Sequence, residues 1–289
     1  MRALIALAAA LPVAALAHAG DPGSPWRWNF APWLLALLAL SAIAYALGLR
    51  RLWRNAGRGR GVAPREAGCF ALGWLVLVAA LVSPLDAFGG QLFSVHMVQH
   101  ELLMVVAAPL LVLGRPLAAW TWALSPAQRR VAGRVFSARA WSAPWARLTD
   151  PLAAFALHAI ALWAWHLPAA FDAALAHEGW HIAQHGSFLV TALFFWWSVL
   201  GHDPRGRYGP GHSAASLFAT MMHTGALGAL LSLAPDPWYA PYVASTLALG
   251  LDPAQDQQLG GLVMWVPAGL VYVVAALWVL GRMLTRARA

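Results

Sequence analysis

The sequence predicts an all-α, polytopic membrane protein: a bundle of seven transmembrane helices behind an N-terminal signal peptide. Three observations carry this expectation. Of 289 residues, 61% are hydrophobic and 10% are charged, against about 25% charged in an ordinary soluble domain. The apolar residues gather in runs long enough to cross a hydrocarbon core of about 30 Å. The 19 basic residues are all arginine, because the chain has no lysine, and they stand in short clusters between those runs. A net charge of +8 raises the question of nucleic acid, but that partner requires a basic stripe along one face, so none is expected. The single Cys69 excludes an intrachain disulfide and any paired-thiol site.

Residues 1–19 read as the signal peptide: Arg2, an apolar stretch from Ala3 to Leu16, then Ala17-His18-Ala19 as a small-x-small ending. An uncleaved anchor helix is the competing reading, opposed by Pro12 and by the short apolar stretch. Residues 20–289 form the membrane domain, with spans expected at 31–49, 66–83, 92–113, 151–167, 180–200, 214–233 and 261–281. Arg50, Arg51, Arg54, Arg58, Arg60 and Arg65 follow the first span. Arg115, Arg129, Arg130, Arg134, Arg139 and Arg147 follow the third, Arg205 and Arg207 the fifth, and Arg282, Arg286 and Arg288 the seventh. Loops rich in arginine stay cytoplasmic. The mature N-terminus is therefore expected in the periplasm of a bacterial inner membrane and the C-terminus in the cytoplasm, with Trp26, Trp28, Trp33, Trp53, Trp120 and Trp122 meeting lipid at the two interfaces.

Polar side chains at membrane depth are costly, so each needs a reason. The third span begins FSVHMVQHELLM, placing His96 and His100 one turn apart, about 6 and 12 Å below the outer boundary. The fifth span carries His177, His181 and His185 at four-residue spacing, with only His185 expected well inside. His223 lies about 15 Å from the outer end of the sixth span. His158 and His166 stand on the fourth, and Asp252, Asp256, Gln257, Gln258 and Met264 at the start of the seventh. Imidazole with thioether favours copper, above all Cu(I). The expected metal ligands are therefore His96, His100, His185 and His223, with Met97, Met104 and Met264 as soft ligands and Glu101 and Asp256 supporting them from behind. The bland alternatives are histidines hydrogen-bonded across helices and methionines used as packing. HELLM lacks the second histidine of the HExxH zinc motif, since Met104 stands there, so a protease is not expected.

The segments SPLDAFGGQLFSVHMVQHELLMVVAAPLLVLGRP, MMHTGALGALL, and PDPWYAPY followed by DQQLGGLVMW resemble the seven-helix CtaG family of cytochrome c oxidase assembly proteins. The resemblance runs from about residue 31 to 281 and rests on His96, Met97, Gln99, His100, Met222, His223, Asp256, Gln257, Gly260, Gly261, Met264 and Trp265. It departs from the family's pattern at Ala108-Pro109, where a Pro-Pro pair is common. The resemblance implies a role in assembly of haem-copper oxidases at their copper, with an oxidase subunit or assembly intermediate as partner and a periplasmic copper donor as a second. An assembly factor of this kind would not be an enzyme. The competing classes are a redox protein holding haem between two histidines and a proton or ion transporter using Glu101 and the histidines as a relay. For the transporter, no charged residues in the cytoplasmic half of the bundle complete a path.

Overall fold

The computed structural model describes residues 26–201 and 210–287. The expected signal peptide lies outside them. Among the described residues the chain is entirely helical. In chain order the helices are α1 (Pro32–Ala56), α2 (Pro64–Val82), α3 (Leu85–Gly89), α4 (Phe93–Leu113), α5 (Pro116–Ala123), α6 (Pro126–Ser137), α7 (Arg139–Leu148), α8 (Pro151–His166), α9 (Pro168–Ala176), α10 (Glu178–Leu200), α11 (Pro210–Leu233), α12 (Ala240–Ala248) and α13 (Pro253–Ala287). Proline opens most of them, at a position where its missing N–H costs nothing. The stops and starts are also chemical: Asp150 accepts from the amides of Leu152 and Ala153 ahead of α8, and Asp252 from those of Ala254 and Gln255 ahead of α13.

Five helices, α1, α2, α4, α11 and α13, are long and apolar enough to cross a membrane, and a sixth crossing arises if α7 and α8, bent by 66° at Thr149-Asp150, count as one. The expected spans at 151–167 and 180–200 coincide with α8 and α10. Alone, α8 has 16 residues, about 24 Å of helix, short of the hydrocarbon thickness. α10 has 23 residues and interrupts its apolar sequence with His181, Gln184 and His185. Large apolar side chains stay exposed at helical spacing on outward faces, Leu40, Ile43 and Leu47 on α1 and Leu270, Val274 and Leu277 on α13. A stripe of this kind suits lipid and not water.

The centre of the bundle is α4. Of its apolar window 61% is buried, against 22–33% in the other four long helices. One apolar cluster joins its Leu103, Ala107 and Leu111 to α1, α2 and α5, and a second joins its Met97, Met104 and Val105 to α8, α10, α11 and α13. Small residues set the closest approaches. A Cβ on Gly260 would collide with the Phe93 ring, and one on Gly228 would lie 2.7 Å from the Gly261 carbonyl oxygen, so α13 packs directly on α4 and α11.

α4 also contains a π-helical turn at Leu102–Ala107, and Pro109 explains it. In an α-helix the Met104 carbonyl would accept from Ala108, but the Ala108 amide donates to Leu103 instead. The next amide along belongs to Pro109, which has none. Met104 oxygen is thereby left without a backbone donor in a water-free interior, a cost of several kcal/mol in lipid. The indole Nε1 of Trp196 on α10 supplies the bond at 2.8 Å. Trp196→Phe should keep most of the ring packing, leave this carbonyl unpaired and lower stability by about 1–3 kcal/mol, read as a lower unfolding midpoint in detergent. An unchanged midpoint would mean that another donor reaches Met104.

Candidate metal centre

The N-terminal end of α4 is positioned by a carboxylate from α13. Asp256 on α13 accepts from the amides of Phe93 at 2.7 Å and Ser94 at 3.2 Å, and from the Ser94 hydroxyl at 2.5 Å. These are first-turn amides with no partner inside their own helix, and a negative charge is favoured at that helix end. Gln257 beside it accepts from the Trp238 amide at 2.6 Å and donates to the carbonyls of Leu231 and Asp236. The Asp-Gln pair thus clamps α4, α11 and the loop after α11 to one another. Gln99 performs the same task on the opposite side of α4, donating to Ala80 oxygen and the Asp86 carboxylate, each at 2.8 Å.

Held this way, α4 turns His96 and His100 toward α10. Their ring centroids are 4.3 Å apart, and those of His96 and His185 are 5.5 Å apart. His100 and His185 are separated by 5.0 Å. His181, one turn before His185, joins them: its ring is 4.1 Å from His185 and 5.5 Å from His96. One nitrogen from each of His96, His181 and His185 falls within 4.8 Å of the others. His166, at the end of α8, faces His100 at 6.1 Å. The titratable groups acting on His181 include Asp86 and Glu178, so carboxylates border the group on the His181 side.

The tautomer of His96 follows from its neighbours. Tyr242 of α12 donates its hydroxyl proton to the Gly89 carbonyl at 2.7 Å, and its oxygen lies 2.9 Å from His96 Nδ1. Burial, followed by the nearby Asp256 charge, pushes the Tyr242 phenol well above its ordinary range, so the hydroxyl keeps its proton. Nδ1 must then carry the hydrogen that it shares with Tyr242 and with Gly89 oxygen at 3.2 Å. His96 Nε2 is left with its lone pair, buried and outside hydrogen-bond geometry, with the buried Gln184 amide of α10 as its polar neighbour. A histidine whose Nδ1–H is held by a carbonyl or hydroxyl while Nε2 stays free is arranged as metal ligands are.

The other expected residues go elsewhere. His223 does not join the group: its ring meets Phe155 of α8 at 5.5 Å, and it lies near enough to act on His158. His158 shares Nδ1 with Thr191 at 3.1 Å. Met97 turns toward Gly260, Met104 is buried beside Trp196, and Met264 lies in the same apolar cluster. Glu101 acts on Tyr272 of α13 and is not among the groups acting on His100. The sequence argument set His181 and His166 behind the other histidines and did not single out Asp86 or Tyr242. The four-residue spacing of His177, His181 and His185 was the available signal for the first.

The profile of the cytochrome c oxidase caa3 assembly factor family, Caa3_CtaG, matches residues 43–286, which include each of these side chains. The chain belongs to this family. It is also 30% identical over 253 residues to proteins of Mycobacterium bovis and Mycobacterium tuberculosis described as uncharacterized, covering 82% of this chain and 36% of theirs. A Mycobacterium leprae protein with the same description is 28% identical over 255 residues, covering 86% of this chain and 38% of that one. The chain therefore spans little more than a third of the curated relatives it matches. No solved structure matches it.

If Asp256 acts as the cap of α4, Asp256→Ala should destabilise the protein by about 1–2 kcal/mol and speed hydrogen exchange at the Phe93 and Ser94 amides, with Asp256→Asn in between. Wild-type exchange at those amides in the alanine variant would show that the cap is dispensable.

Proposed function

We propose that this Caa3_CtaG member is a non-catalytic assembly factor of the bacterial inner membrane that takes up copper from the periplasmic side and passes it to a cytochrome c oxidase subunit or assembly intermediate. In this reading α8 and α10 complete a bundle of seven spans, and the chain from about residue 20 onward starts in the periplasm and ends in the cytoplasm. The observation that carries it is the meeting of His96, His181 and His185 from two helices, with ligating nitrogens within 4.8 Å of one another. Shared ligation places each nitrogen about 2 Å from the ion and therefore within about 4 Å of its neighbours, so modest side-chain rotation closes the site. Burying the bare nitrogens of His96 and His185 costs about 1–3 kcal/mol each while nothing binds them. A metal ion removes that cost.

The chemistry of the donor set supports copper as cargo. Imidazole suits copper, zinc, iron and nickel alike, and the family's association with an oxidase selects among them. Haem held between two histidines is less well served. The rings of His96, His100, His181 and His185 touch their neighbours at centroid separations of 4.1–5.5 Å, which leaves no slot for a planar macrocycle between them.

Loss of the gene should lower copper-loaded oxidase in the membrane, and a His96→Ala, His185→Ala chain that still accumulates should fail to restore it. Oxidase activity together with copper per oxidase is the readout. Full restoration by that double variant would remove the histidine group from the function. Fusions within the 234–252 loop should report a periplasmic location, and a cytoplasmic signal would put the histidines on the wrong side for periplasmic copper.

A further inference from the structure

We propose that His100 and His166 form a second, inner site that holds a single monovalent soft cation, Cu(I), between two imidazoles, one helical turn along α4 from the three-histidine group. The inference rests on the copper reading above and adds to it a second position with a different charge preference.

His166 is prepared as a ligand in the same way as His96. Its Nδ1 lies 2.7 Å from the Leu162 carbonyl oxygen, which can only accept, so the hydrogen is on Nδ1 and Nε2 presents its lone pair. That Nε2 is buried without a partner, and so are both nitrogens of His100. His100 and His166 are 1% and 2% exposed. Two imidazoles bound on opposite sides of one ion, with nitrogens about 2 Å from it, place their centroids about 6 Å apart. The observed 6.1 Å fits that linear arrangement. The closest pair of the outer group, His181 and His185 at 4.1 Å, fits ligands on one side of an ion.

The surroundings select for low charge. The Phe188 ring lies 4.7 Å from His100 and 6.0 Å from His166, and Phe171 lies 6.0 Å from His166, so the pair is enclosed by aromatic carbon. The groups that act most strongly on His100 are the imidazoles of His96, His185, His166 and His181. Solvation cost rises with the square of the charge, so a monovalent ion pays about one quarter of what a divalent ion would in this dry enclosure. The outer group differs, because Asp86 and Glu178 act on His181. His100 touches both sets, at 4.3 Å from His96 and 5.0 Å from His185. An ion can therefore pass inward by exchanging one imidazole at a time, with no change of oxidation state.

The test is a titration of the full chain in detergent with Cu(I), under anaerobic reducing conditions and against a chromophoric Cu(I) chelator, with X-ray absorption at each stage. The wild type should hold two ions per chain and show a two-coordinate nitrogen component. His166→Phe, which keeps an aromatic ring beside Phe171 and Phe188, should hold one ion and lose that component. His181→Ala should keep it. Two ions in His166→Phe would overturn the inner site, and so would loss of both ions from a folded variant, which would mean one undivided site. If that variant fails to accumulate, a wild-type spectrum without the two-coordinate component overturns the proposal. A wild type that binds one ion, lost in His181→Ala and kept in His166→Phe, would overturn the inner site and leave the proposed function standing. No binding at all would overturn both.

Discussion

The arrangement of the histidine-bearing half of the bundle depends on the rotation of α4, and that rotation is held by the Asp256 carboxylate across the first amides of the helix. Successive side chains on a helix leave it about 100° apart, so one fixed rotation assigns every direction at once. His96 and His100 then face α10. Met97 faces Gly260 on α13, and Gln99 faces Ala80 and Asp86 on the other side. A carboxylate suits this role better than a side chain on α4 itself could, because it couples the register of α4 to that of α13. Gly260 completes the coupling by allowing the two backbones close enough for Asp256 to reach.

The same helix carries a defect, and the defect has a compensating partner. Pro109 removes a donor, the chain answers with a π turn, and the carbonyl left over is taken by Trp196. Because Trp196 belongs to α10, the bond ties α4 to the helix that supplies His181 and His185. α4 and α10 are thus fastened on one side of the site by Trp196 and meet at the site through the imidazoles. π turns are common near functional positions, and here the turn begins directly after His100 and Glu101.

Much of this was legible in the sequence, and the parts that were not share a cause. Composition and run length are enough to place α1, α2, α4, α11 and α13, because each buries or exposes apolar residues over its whole length. Depth could also be read, since rise per residue is constant, and it sets His96, His100 and His185 at neighbouring levels, where their rings meet. Rotation about the helix axis could not. His223 lies at a reasonable depth on α11 but points to Phe155 of α8, and nothing in an isolated helix records which neighbour it will face. His181 was discounted as too near the water. The short helices α9 and α12 change that by bringing Phe171 to 5.2 Å from His96 and Tyr242 to its Nδ1. These caps have no signal as spans, being 9 residues each.

The charge distribution gives the bundle a direction. Arginines crowd the segments that follow α1 and α4, while Asp86, Glu178 and Asp256 stand at the other end, around the imidazoles. In the described residues one ion pair joins opposite charges, Arg115 with Glu66 at 3.8 Å, and it lies away from the histidines. The carboxylates near the site are therefore not neutralised by cations of the protein. Asp86 is held by Gln99 and by the Asn29 amide at 3.2 Å, and Asp256 by the amides of α4. These donors fix the position of each negative charge without cancelling it. On the copper reading proposed above, a cation approaching from that end would meet fixed negative charge first and imidazole behind it, so the attraction would weaken along its path.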